Sequence, residues 1–203
     1  MIIYTPLDLP KIEPDNWDVF WDIWDRNAQP LVKVGRNAST STAPIGCKSI
    51  WLGFDIIKKN FGHTAWEAPF YDISAELPNF FTSIQDLDFP LMYRARLLMS
   101  VRDINAHTDD DKDVWHTRSF IHYTSDKPQW YFTLPGDPKG PRTYIDMPTD
   151  TNWFAYNDKH CWHGTDFDAN NKKILLQIYC DMTPDDLIKR SQEKYKDYTI
   201  SYD

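Results

Sequence analysis

The sequence predicts a mainly β protein flanked by helices, with a sandwich or jelly roll as its core. Three observations carry that expectation. From residue 91 onward, short runs of β-forming residues alternate with Gly/Pro turns, the pattern of a strand-rich sandwich. Before this region, Trp17, Phe20, Trp21 and Trp24 fall at i, i+3, i+4 and i+7, one apolar face of a helix. After it, Thr183-Pro184-Asp185-Asp186 reads as a helix start, with Pro in the first turn and acids at the positive end of the dipole.

Residues 1–15 carry three Pro and read as an extended arm. Asp15 or Asn16 would cap the first helix, and Pro30 would follow its end. The polar stretch Arg36 to Ala43 reads as a loop. Ile50 to Lys59 fits a short strand or a helix, and Leu77 to Gln85 a short helix. Strands are expected at Tyr93–Val101, Ser119–Tyr123, Gln129–Leu134, Thr143–Met147, Trp153–Tyr156 and Lys173–Tyr179, with a turn at Gly136–Pro141. The last helix would run to about Lys196. This divides one domain into a helical or irregular part (1–76), a β core (77–181) and a C-terminal helix and tail (182–203).

The chain has 203 residues, 41% hydrophobic and 15% aromatic, which supplies ample material for a core and argues against disorder. No apolar run approaches the roughly 18 residues that span a bilayer. The N-terminus MIIYTPLDLP lacks a basic region and a small-residue cleavage site, so a cytoplasmic protein is expected. The net charge of −8 disfavours a nucleic-acid partner. Cys47, Cys161 and Cys180 show no CxxC spacing and are expected as free thiols. The Asn37-Ala38-Ser39 sequon is expected to be inert without export.

Five of the six His lie between 107 and 163. In Ala106-His107-Thr108-Asp109, residues i and i+2 at a strand end point to one side. His107 and Asp109 therefore offer an imidazole nitrogen and a carboxylate oxygen to one metal. His160-Cys161-Trp162-His163-Gly164 supplies a second imidazole. Two His and one carboxylate on one face of an octahedron leave positions open for a cosubstrate and O₂, the pattern of non-haem Fe(II) oxygenases. Lys173 begins the apolar strand KILLQIY, where a cation would pair with a dicarboxylate arriving at the metal. The acidic run Asp109-Asp110-Asp111 offers alternative carboxylates; Asp109 matches strand geometry at i+2, whereas Asp110 would point away. His116 and His122 read as structural or substrate-side, and His63 as an ordinary loop residue. Trp115, Trp130, Trp153 and Trp162 read mainly as core and cavity packing. Arg96 and Arg94 share parity and face either the cavity or solvent.

Residues of about 77 to 181 resemble the aspartyl/asparaginyl β-hydroxylase family of 2-oxoglutarate oxygenases. The likeness runs through LPNFFTSIQDLDFPLMYRARLLMSV, DINAHTDDD, HTRSFIHYT, TYIDMPTDTNWFAYND, WHGTDF and KKILLQIYCD. It implies a double-stranded β-helix core and a hydroxylase using Fe(II), 2-oxoglutarate and O₂. His107, Asp109 and His163 would hold the iron. Lys173 stands where the family has an Arg gripping the far carboxylate of 2-oxoglutarate, and Arg118 matches an Arg of the strand after HxD. Arg96, on the strand feeding HxD, is a third candidate for cosubstrate contact. Two departures stand out: a Lys point charge replaces a bidentate fork at 173, and Arg118-Ser119-Phe120 replaces Arg-x-His, with His122 displaced by two. His163, ten residues before Lys173, fits the spacing better than His160. The implied substrate is an Asp or Asn side chain in a peptide, or a related small molecule. A cupin-like metal isomerase and a non-enzymatic β module are the rival readings. Nothing in the sequence fixes the oligomeric state.

Overall fold

The computed structural model describes residues 1–32, 44–52, 70–87, 94–108, 115–122, 129–157, 161–179 and 184–202. Arg36–Ala43, His63, Asp109–Asp111, His160 and Cys180 lie outside them.

Two sheets face each other, antiparallel throughout their core strands. The core strands are β5 (Arg94–Ser100), β6 (Ile104–His107), β7 (Trp115–His122), β8 (Trp130–Thr133), β9 (Thr143–Tyr144), β10 (Trp153–Asn157), β11 (Trp162–Thr165) and β12 (Ile174–Tyr179). The smaller sheet has the order β6-β11-β8-β9, and the larger contains β10-β7-β12-β5. Successive strands thus pass from one sheet to the other, except at the β8–β9 turn. That alternation is a double-stranded β-helix, the jelly-roll core expected from the sequence.

The larger sheet extends beyond that core. β1 (Ile2–Pro6) pairs antiparallel with β10 and with β13 (Ile200–Ser201). On the other side β3 (Pro44–Leu52) pairs with β5, β2 (Gln29–Val32) pairs with β3, and β4 (Phe70–Tyr71) lies parallel to β3. Residues 1–76, expected to be helical or irregular, therefore contribute four strands among the described residues. The extended arm expected at 1–15 begins with a ladder strand, β1. The stretch left open between strand and helix is strand as far as Leu52. Beyond β1 the chain is pinned by Asn152, whose amide accepts from Ile12 N at 3.2 Å and donates to Ile12 O at 2.6 Å. Trp153 Nε1 donates to Pro10 O at 3.0 Å.

Among the described residues three helices cover the outer face of the larger sheet: α1 (Trp17–Asn27), α2 (Pro78–Gln85) and α3 (Asp185–Lys194). Asn16 caps α1 by accepting from Asp18 N and Val19 N. Asp15 caps α2 instead, accepting from Phe80 N at 2.9 Å; Leu77, the residue before α2, offers no side-chain oxygen. The adjacent pair Asp15-Asn16 therefore ties two helix starts together.

Strand alternation sorts the side chains. Ala95, Leu97, Met99, Trp153, Ala155, Ile174, Leu176 and Ile178 face the helices. Leu98, Phe120, Phe154, Tyr156 and Leu175 face inward and pack with Trp130, Phe132 and Cys161 of the smaller sheet side. Trp115 packs partly buried against the helix-side core. The turn at Gly136 to Pro141 is present, with Gly136 at φ 75° and Gly140 N donating to Asp137 O. No described helix is long and apolar enough to cross a membrane.

Gly164 sits in β11 one residue after His163. A Cβ there would meet the hydroxyl of Tyr131 and, at 2.7 Å, the carbonyl oxygen of Ile104, to which that hydroxyl donates at 3.4 Å. Only a residue without a side chain lets β11 lie this close to both neighbours. Gly164→Ala is expected to cost roughly 1–3 kcal/mol through forced displacement of β6. The urea midpoint measures this, and a midpoint equal to wild type would contradict the close approach.

Candidate active site

The smaller sheet brings two histidines together. His163 on β11 is the direct cross-strand partner of His107 on β6, and their ring centroids lie 4.5 Å apart. Residues paired in this way present their side chains on one face. His163 is buried, while His107, near the end of an edge strand, is half-buried. His107 Nδ1 lies 2.9 Å from Asn105 O, and His163 Nδ1 lies 3.5 Å from Cys161 O. A backbone carbonyl can only accept, so a neutral ring that bonds it carries its proton on Nδ1 and keeps Nε2 as the lone-pair nitrogen. Asp109, two residues past His107, is outside the described residues, as is the rival His160.

His163 is held by aromatic packing. Trp130 stacks on it with an interplanar angle of 4° and a centroid distance of 5.2 Å. Tyr156 packs from the larger sheet at 4.9 Å.

The larger sheet supplies positive charge to the same interior. Trp51, Arg96, Gln177, Arg118 and Phe154 form one transverse row, each the cross-strand partner of the next through β3, β5, β12, β7 and β10. Arg96 Nε donates to Gln177 Oε1 at 2.8 Å, and its guanidinium carbon lies 5.2 Å from the Trp51 ring centre. Arg118 is buried, its guanidinium carbon 5.1 Å from the Trp130 ring and 4.9 Å from the Tyr156 ring. Lys173 immediately precedes β12, on the inward parity of Leu175 and Gln177. Its Nζ donates to Thr165 Oγ1 at 2.8 Å and lies 5.0 Å from the Trp130 ring. The row thus resolves the orientation left open for Arg96: it shares the sheet face of Arg118.

Only 3% of Lys173 is exposed, so its charge is costly. Among the described residues it forms no ion pair. Burial, reinforced by the nearby Arg118 charge, lowers its pKa to about 7, against opposing effects of Cys47 and Asp166. Asp166 is itself engaged by Arg142 at 2.5 Å and by the Tyr144 hydroxyl. Cys47, a buried free thiol, is pushed up by burial, while Arg96, Lys173 and Arg118 oppose that shift. A buried ammonium is normally neutralised, so the surroundings of Lys173 suit an anion placed beside the paired imidazoles.

The structure brings His107, His163, Lys173, Arg118 and Arg96 around one interior. Trp153 is core on the helix side. Trp130 is more than core, because it touches His163 and both buried cations. Sequence reasoning missed Gln177, Thr165, Tyr156 and Trp51. A signal for Gln177 existed: it is the lone polar residue within ILLQIY, at i+4 from Lys173 and on the same parity.

No family model and no curated protein matches this chain. Its structure is similar to that of a prolyl-4-hydroxylase from Pseudomonas putida, over 80% of this chain and 82% of that one, with a TM-score of 0.42 and 10% identity. It is also similar to an oxidoreductase of the 2OG-Fe(II) oxygenase family from Burkholderia pseudomallei, over 83% and 93% of the two chains, with a TM-score of 0.39 and 9% identity. Fold does not fix function, and the functional reading rests on the chemistry of the site.

The lowered pKa of Lys173 has a defined sign. Between about pH 7 and its ordinary value of 10.5, the unfolded chain holds a proton that the folded chain has shed. Lys173 therefore contributes stability that rises with pH across this window and is absent below it. A bound carboxylate would restore the proton. At pH 8, binding of a dicarboxylate is expected to take up a fraction of a proton in wild type and less in Lys173→Met. Calorimetry in two buffers of different ionisation enthalpy measures this; equal uptake by both proteins would contradict the role of Lys173.

Proposed function

We propose that this protein is an Fe(II)- and 2-oxoglutarate-dependent oxygenase that hydroxylates an unactivated C–H bond. The observation that carries the reading is the His107–His163 pair facing an interior that also holds Lys173 and Arg118. The donor set fits Fe(II). Two imidazoles have Nδ1 turned toward backbone carbonyls, and a carboxylate, Asp109, lies at the i+2 position in sequence. The three would occupy one face of the ion and leave the rest to ligands. The bound iron supplies the oxidising chemistry: O₂ and 2-oxoglutarate are consumed, one oxygen atom enters the C–H bond, and succinate and CO₂ leave.

The chain's own part is binding, orientation and exclusion of water. Lys173 and Arg118 neutralise the far carboxylate of 2-oxoglutarate, and Thr165 holds the Lys173 ammonium toward the interior. Arg96 and Gln177 extend the polar row from Arg118 toward β3. Tyr156 and Trp130 fix the ring of His163. Phe120, Phe154 and Leu175 form a dry wall around these groups, which strengthens each charged contact. No nucleophile or general base is demanded of the protein. The substrate assigned by sequence resemblance is an Asp or Asn side chain in a peptide, or a small molecule of the same kind.

The test is succinate formation from 2-oxoglutarate by Fe(II)-loaded protein, screened with Asp- and Asn-containing peptides and free amino acids. His107→Ala and His163→Ala are expected to abolish turnover. Lys173→Ala is expected to raise KM for 2-oxoglutarate by about 10- to 100-fold, the worth of a charge-assisted hydrogen bond, with Lys173→Arg partly restoring it. Succinate formation by Lys173→Ala at wild-type KM would contradict the role of Lys173, and wild-type protein that binds metal but forms no succinate would favour a metal isomerase that ignores 2-oxoglutarate.

A further inference from the structure

Trp130 draws together more of the interior than any role in packing requires. It lies on β8, opposite Thr165 of β11. Its ring stacks against His163 and lies about equally far from two cations, Arg118 at 5.1 Å and Lys173 at 5.0 Å. Phe120, Phe154 and Tyr156 surround it at centroid distances of 6.1, 5.8 and 6.1 Å. The residue is 3% exposed. Yet its Nε1, a donor with no acceptor capacity, has no hydrogen-bond partner among the described residues.

A buried indole N–H ordinarily finds an acceptor. Among the described residues two shortfalls coincide: an N–H without an acceptor, and a buried ammonium without a carboxylate. Both lie at one side chain, and an anionic ligand bearing carboxylate oxygens would answer both. The ring contributes differently. Its negative π faces stabilise nearby cations, which lets Arg118 and Lys173 sit close together before any ligand arrives.

We propose that Trp130 is a ligand-binding residue of this site, donating its indole N–H to a carboxylate oxygen of the bound dicarboxylate while its ring holds Arg118 and Lys173 in position. The inference rests on the oxygenase reading for the identity of that dicarboxylate. It adds a neutral, directional donor to a site otherwise held by point and fork charges. Such a donor recognises where the carboxylate sits as well as its charge.

The experiment uses Zn(II)-loaded protein, which is diamagnetic and does not turn over, with N-oxalylglycine as the probe. The Trp130 indole resonance, assigned among those of the nine Trp, is expected to shift downfield on titration. Trp130→Phe keeps an aromatic face but removes the donor. It is expected to weaken N-oxalylglycine binding at least about tenfold while leaving Zn(II) affinity close to wild type. An indole resonance that does not move, or undiminished binding by Trp130→Phe, overturns the assignment and leaves the oxygenase reading standing. Equal loss of Zn(II) and N-oxalylglycine by Trp130→Phe reduces Trp130 to a support for His163 and also overturns it. Wild-type protein that binds Zn(II) but no N-oxalylglycine sinks both.

Discussion

The cross-strand pairing of His107 with His163 is the constraint on which the site depends. These residues lie far apart in sequence and on different strands, so only the β6–β11 register sets their rings 4.5 Å apart. A slip of one residue would turn one ring to the opposite face of the sheet. Several features guard this register. Gly164 leaves room for the Tyr131 side chain to reach Ile104 O on β6, Trp130 lies flat against His163, and β8 pairs with β11 along its whole length from Trp162 to Thr165.

Against that pair stands an interior whose charge is unusual. Arg118 and Lys173 are both buried, close to the same indole ring. Their mutual repulsion and desolvation would ordinarily be removed by a carboxylate within the fold. Around Lys173 the described side chains are instead aromatic rings, a threonine hydroxyl and a thiol. The fold thus tolerates an unfavourable arrangement that a bound anion would relieve, a common way in which binding sites spend stability. Asp166, the described acid with an effect on Lys173, is held by Arg142 and Tyr144 instead.

Much of the site was legible because its chemistry is carried by unusual residues at fixed spacing. HxD, a later His and a Lys at the head of an apolar strand are local patterns. The helices were legible too: the aromatic periodicity of α1 and the Pro-Asp-Asp start of α3 are local signals. The N-terminal strands were not, because β1, β2 and β3 gain their stability from partners distant in sequence, and the Pro of residues 1–15 read locally as an extended arm with no strand partner. Pro6 closes β1 opposite Phe154, at the strand's last position. The capping of α2 by Asp15 is equally non-local. Trp130 looked like core because an aromatic in a strand usually is; its second role follows from the two cations that the other sheet brings to it. Asp109 and His160 fall outside the described residues, so the third ligand rests on sequence alone.

The central claim is that His107 and His163 bind one ion together. Loading the protein with Cu(II) and recording electron spin-echo modulation counts the imidazoles on the metal directly. The account predicts two imidazoles in wild type and one in each of His107→Ala and His163→Ala. A single imidazole in wild type, or two that survive either substitution, would contradict it.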